Sequence, residues 1–275
     1  MKRLFATLML LLVSLPSVAR MQSRAVEWKV GEKDFSGVLV YDDASTTKRP
    51  GLLMVPDWKG VSDDAVDTAR KLAGSRYVIL VADVYGKGIH PKDDAEAMAQ
   101  VKPLYADRNE LRARVGKALD VLRSQARHAP LDTRRIGAIG FCFGGATALE
   151  LARSGADIAG VVSFHGSLGT SLPAKAGVIK TSLLVLNGAD DKNTSANDIA
   201  AFEKEMDDVK VDWQFVDFSG AVHCFALEHA HSPPNCVYDP KVATRAFTMM
   251  RFCKRFSMSS RNARSLVAST CATSG

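Results

Sequence analysis

The segment Arg135-Ile136-Gly137-Ala138-Ile139-Gly140-Phe141-Cys142-Phe143-Gly144-Gly145-Ala146 admits few backbone paths. An apolar run that suits a buried strand stops at a glycine-flanked cysteine, and an alanine-rich helical stretch follows at once. A strand that turns sharply into a helix lifts the side chain at the bend clear of the sheet, and small neighbours relieve the crowding there. Cys142 then stands at a helix N-terminus, where the helix dipole and free N–H groups favour an anion, a setting that suits a nucleophilic sulfur. The next amide, that of Phe143, lies where a reacting carbonyl oxygen would gain negative charge.

The rest of the chain supplies the sheet around that bend. Residues 26–30 and 35–41 read as a hairpin turning through Gly31-Glu32-Lys33-Asp34, and 51–55, 77–82, 135–140, 158–164, 181–186 and 211–218 read as strands. Helices are expected from Ser62 to Gly74, over 92–126 with an interruption near Pro103, over 143–154, over 195–207 and over 240–256. Unbroken apolar strands alternating with amphipathic helices imply an α/β fold with a mostly parallel sheet covered on both faces. No repeat or linker divides the chain, so one α/β domain is expected over 20–256.

The composition agrees with such a core: 47% of the 275 residues are apolar and 24% charged, which excludes disordered and polytopic membrane classes. The formal net charge of +6 owes much to Lys2 and Arg3 near the start and to Arg261 and Arg264 near the end. Without them acids and bases nearly balance, so a nucleic-acid partner is not expected.

Two further side chains complete a chemical set. The strand over 181–186 leads into Asn187-Gly188-Ala189-Asp190-Asp191, and a carboxylate just past such a strand sits on the ligand-binding edge of the sheet. The strand over 211–218 leads into Ser219-Gly220-Ala221-Val222-His223-Cys224-Phe225, a loop able to return His223 to the bend. The order nucleophile, acid, histidine is that of hydrolytic triads on parallel sheets, in which the imidazole moves the proton and the acid fixes its tautomer. Asp191 is preferred to Asp190 as the orienting acid. His229 and His231 lack a carboxylate at metal-ligand spacing, so no metal or other cofactor is expected.

With these motifs and Val81-Ala82-Asp83-Val84-Tyr85-Gly86, the sequence over about 36–256 resembles the dienelactone hydrolase family, cysteine-dependent enzymes of the α/β-hydrolase fold. The resemblance implies that Cys142 attacks an ester or lactone carbonyl, with His223 as base and Asp191 behind it, through a thioester acyl-enzyme. It places Trp58 beside Phe143 as the second oxyanion donor. It also puts an acid, usually Glu, where this chain has Asp57, one methylene and about 1.5 Å shorter in reach. Of the two cations with which family members hold a substrate carboxylate, one corresponds to Lys87, next to Tyr85 at the expected substrate site. The other corresponds to Leu227. A less charged ester or lactone than dienelactone is therefore expected as the small-molecule substrate.

At the N-terminus, Met1-Lys2-Arg3, an apolar run over 4–15 and Pro16-Ser17-Val18-Ala19 form the pattern of a signal peptide cleaved after Ala19. The run is short of the roughly 20 residues that span a bilayer, so a secreted or periplasmic monomer without stable membrane insertion is expected. Residues 257–275 read as a disordered tail. In an oxidising compartment Cys224, Cys236, Cys253 and Cys271 can pair in three ways or stay reduced, and a Cys224–Cys236 bridge would stiffen the segment beside His223. The competing functions are acyl transfer or hydrolysis of another carbonyl compound on the same fold, and a non-catalytic binding protein.

Overall fold

The computed structural model describes residues 20–252. The expected signal peptide, the expected tail, Cys253 and Cys271 lie outside the described residues. The elements in chain order are β1 (Met21–Val30), β2 (Lys33–Asp42), β3 (Arg49–Val55), α1 (Asp63–Ala73), β4 (Val78–Val81), α2 (Asp94–Ala106) and α3 (Arg108–Ser124). There follow β5 (Leu131–Phe141), α4 (Phe143–Arg153), β6 (Gly160–Phe164), β7 (Ser182–Gly188), α5 (Ala196–Asp208), β8 (Trp213–Phe218), β9 (His231–Ser232), β10 (Cys236–Val237) and α6 (Pro240–Phe252).

Eight strands form one sheet in the order β1-β2-β4-β3-β5-β6-β7-β8. The β1–β2 hairpin adds antiparallel to β4, and every later pairing is parallel. Strand β3 explains why its sequence is apolar throughout. Leu53 and Val55 point into one buried cluster, with α2 to α5; Leu52 and Met54 point into the other, with α1 and α6. Alternation of side chains along a strand sends neighbours to opposite faces, so a strand covered on both sides has no polar face. Full burial of each such leucine contributes roughly 1.5–3 kcal/mol.

The long helical stretch breaks at Asp107, four residues beyond the expected interruption at Pro103, which lies inside α2. Pro103 lacks only its own N–H, and its carbonyl still accepts the Asp107 amide at 2.9 Å. Asp107 is extended, and its carboxylate accepts the Glu110 amide at 3.0 Å, so a cap starts α3 there. The small β9–β10 ribbon, which sequence patterning did not predict, follows the His223 loop.

Candidate active site

The bend between β5 and α4 is built on close backbone contact. Cys142 adopts φ 52°, ψ −118° between the strand and the helix it opens. A Cβ on Gly140 would lie 2.0 Å from the Gly144 carbonyl oxygen, and one on Gly144 would lie 2.1 Å from that of Val55. Only glycine allows the end of β5, the first turn of α4 and the end of β3 to meet this tightly. The contact sets Asp57 and Trp58, just past β3, beside the cysteine. Among the described residues the amides of Phe143 and Trp58 have no hydrogen-bond partner. For Phe143 that follows from its place in the first helical turn.

Asp191 and His223 meet on the same edge. The loop after β7 turns through an Asp191 amide bond to Gly188 O at 3.0 Å, which buries the Asp191 carboxylate while Asp190 faces solvent. Oδ1 of Asp191 accepts the Asn193 amide at 2.9 Å, and Oδ2 stands 2.6 Å from His223 Nδ1. The ring nitrogen left for the Cys142 sulfur is Nε2. Burial pulls the His223 pKa down, but the hydrogen bond to Asp191 and the nearby charges of Cys142 and Asp191 push it up to about 10. The Asp191 carboxylate thus favours the protonated ring.

A covalent brace fixes that loop. Cys224 and Cys236 form a disulfide, one of the pairings the sequence left open, and the Val237 amide donates to the His223 carbonyl at 3.1 Å. Cys142 is the free thiol among the described residues.

Asp57 is half-buried, and its carboxylate accepts the Lys59 amide at 2.8 Å. Burial raises its pKa, against the pull of that hydrogen bond and of the charges on Lys59 and His223. Tyr85 and Lys87, the expected substrate contacts, both have partners within the protein. Tyr85 is 1% exposed, stacks on Phe143 at 5.6 Å and donates its hydroxyl to the Trp58 carbonyl at 3.1 Å. It therefore braces the Trp58–Lys59 peptide, one unit beyond the Trp58 N–H. Lys87 pairs with Glu27 of β1 at 2.9 Å on the outer surface. Its charge is satisfied there, because the β1–β2 hairpin packs past the loop that holds it.

Two residues escaped the sequence reading. Tyr105 of α2 packs on Phe143 at 5.5 Å, and burial, with the nearby Cys142 charge, raises its pKa. On a helix a buried aromatic reads only as core, so its sequence carries no separate signal. His165, in Ser163-Phe164-His165-Gly166 at the end of β6, has its Nδ1 3.2 Å from the Cys142 amide. A histidine at a strand end before glycine was the available clue.

A cleft of about 510 Å³ opens beside Asp57 and Trp58, bounded by Lys59, the start of α1, His90 and the 227–232 segment. Its charged walls are largely paired: Lys59 with Asp94 at 2.9 Å, and Glu228 with Lys71. Leu227 contributes an apolar wall where a second cation was absent from the sequence. Among the described residues no group of His, Cys, Asp or Glu is arranged to hold a metal, and no helix is long and apolar enough to cross a membrane.

Comparison with known proteins places this geometry among relatives. The sequence model of the dienelactone hydrolase family matches residues 35–257. A solved dienelactone hydrolase-like promiscuous phosphotriesterase from metagenomic libraries is 36% identical, with a TM-score of 0.76 over 84% of this chain and 95% of that one. An uncharacterized protein of Caenorhabditis elegans is 34% identical over 52% of this chain and 91% of its own length. A probable 2-oxo-3-(5-oxofuran-2-ylidene)propanoate lactonase of Bradyrhizobium is 27% identical over 68% of this chain and 76% of its own. The architecture is that of the α/β-hydrolase fold.

Proposed function

The chain belongs to the dienelactone hydrolase family of ester and lactone hydrolases, and we propose that it cleaves small, uncharged esters or lactones through Cys142, His223 and Asp191. The observation that carries this reading is the 2.6 Å contact of His223 with Asp191 beside a free thiol at a helix start. In the proposed cycle the Cys142 sulfur attacks the carbonyl carbon and forms a C–S bond. The carbonyl oxygen takes up negative charge facing the Trp58 and Phe143 amides. The His223 imidazolium then gives its proton to the leaving alkoxide as the C–O bond breaks, which leaves a thioester. Water, deprotonated by His223, attacks that thioester; the carboxylic acid leaves and the sulfur is restored. Asp57, with its raised pKa, helps pass the Cys142 thiol proton to His223 when substrate arrives, which forms the imidazolium that later protonates the leaving alkoxide.

The substrate class follows from the cleft. Lys59 pairs with Asp94, Lys87 pairs with Glu27, and Leu227 stands where family members have a cation, which favours a substrate with less negative charge. Neutral phosphotriesters are a second class for the same nucleophile, favoured by the 36% identity to a promiscuous phosphotriesterase. Export with cleavage after Ala19 belongs to the same proposal, supported by the terminal pattern and by the Cys224–Cys236 bridge.

The test is steady-state hydrolysis of p-nitrophenyl acetate by the parent, Cys142→Ala and His223→Ala proteins, with mass spectrometry of acid-quenched parent for an acetyl group on Cys142. Near-background rates in both variants and a trapped acetyl-cysteine are expected. Parental rates in either variant would overturn the assignment. Mass spectrometry of secreted or periplasmic protein reads the cleavage site.

A further inference from the structure

His165 occupies a place that the proposed cycle leaves unused. It follows β6, whose last residue Phe164 is in register with Phe141 of β5, so His165 and Cys142 are equivalent steps beyond adjacent strand ends. Both have left-handed backbones, φ 41° and 52°, which few non-glycine residues adopt without a structural reason. The Cys142 amide is shared between the Phe164 carbonyl at 3.0 Å and His165 Nδ1 at 3.2 Å. The His165 amide donates onward to Leu186 of β7 at 2.8 Å.

The ring is as constrained as the backbone. It is 1% exposed, stands edge-on to His223 at 4.9 Å between centroids, and packs against Phe225 at 5.2 Å. Because Nδ1 accepts a hydrogen bond, a neutral ring carries its proton on Nε2, which is buried without a partner among the described residues. Burial holds the ring neutral, and the charge on His223 reinforces this. A protonated His165 would lose its acceptor and repel the neighbouring imidazolium.

We propose that His165 is a positioning residue whose neutral ring fixes the Cys142 bend through Nδ1 and seats the His223 ring edge-on for proton transfer. The inference rests on Cys142 and His223 acting as the reacting pair. The groups facing His223 are Asp191 from the β7 loop, Cys142 from the start of α4, Asp57 from the β3 end and His165 itself, so removing one neutral neighbour alters a defined set.

The test compares His165→Leu, which keeps bulk but loses the acceptor, with His165→Asn, which keeps an acceptor and tolerates a left-handed backbone. Ester hydrolysis and the pH dependence of Cys142 alkylation by iodoacetamide are measured in each, with His223→Ala as reference. For His165→Leu, kcat falls roughly 10- to 100-fold with KM little changed and the alkylation profile moves, as small misplacements of a reacting group do; His165→Asn recovers most of the loss. A parental kcat and profile in His165→Leu, or equal impairment of both variants, would overturn the proposal. If His223→Ala also alkylates with the parental profile, the reacting pair itself is wrong; if its profile moves and that of His165→Leu does not, only the role of His165 fails. Should the variants not fold, nitrogen NMR of the parent decides: a neutral, Nε2-protonated His165 that does not titrate between about pH 5 and 9 is expected, and an ordinary titration near the free-histidine value overturns it.

Discussion

Nδ1 of His223 stands 2.6 Å from Oδ2 of Asp191 across 32 residues of sequence, and this pairing orients the imidazole toward Cys142. Replacing Asp191 by Asn puts an amide where the ring proton must be accepted and favours the wrong tautomer. With p-nitrophenyl acetate, Asp191→Asn is expected to lose roughly 10²- to 10⁴-fold in kcat with little change in KM. Steady-state kinetics on protein of parental secondary structure checks it.

The same pair links stability to pH. The His223 pKa rises from 6.5 to about 10 on folding, so the folded protein holds this proton more tightly than the unfolded chain. The stabilisation is complete below pH 6.5 and fades as pH climbs through about 10. Urea unfolding across that window should find the excess stability of the parent over Asp191→Asn shrinking as pH rises. An excess that grows instead would contradict the charged pair.

Reduction of Cys224–Cys236 tests the brace behind His223. The bridge closes a short loop, with a separation of 12 residues, and the Cys224→Ser/Cys236→Ser protein should lose about 2–4 kcal/mol of stability. Because the bridged strand also holds the His223 carbonyl, kcat should fall more than KM rises. Unfolding and kinetics of the double variant, with mild reductant on the parent, measure both effects.

Asp57 carries a raised pKa because it is partly withdrawn from water. It stays protonated to higher pH than a free aspartate, so its ionisation falls on the acid limb of the pH–rate profile. Asp57→Asn should remove that ionisation and lower the plateau by roughly 10²-fold, the low end of what a general base supplies. Asp57→Glu should keep the ionisation. A pH–rate comparison of the three proteins decides.

Much of the fold was legible because it depends on local rules. The unbroken apolar run of β3 could only suit a strand covered on both faces, and Gly140 and Gly144 announced a bend too tight for side chains. The break at Asp107 was misplaced by four residues, since a proline disturbs a helix while a capping aspartate ends it. Tyr85 and Lys87 were legible only as a motif. Which way each side chain turns depends on Phe143, Trp58 and Glu27, all distant in sequence.

Sequence alone determined the alternation of strands and helices, the cysteine at a strand–helix seam and the order of acid and histidine after it, because these follow from periodicity, glycine and chain order. Tertiary structure alone decided that Cys224 pairs with Cys236, that Lys87 faces Glu27, and that His165 lies between the Cys142 amide and the His223 ring. Those relations join segments brought together only when the parallel strands align their ends, and no spacing along the chain encodes such a distance.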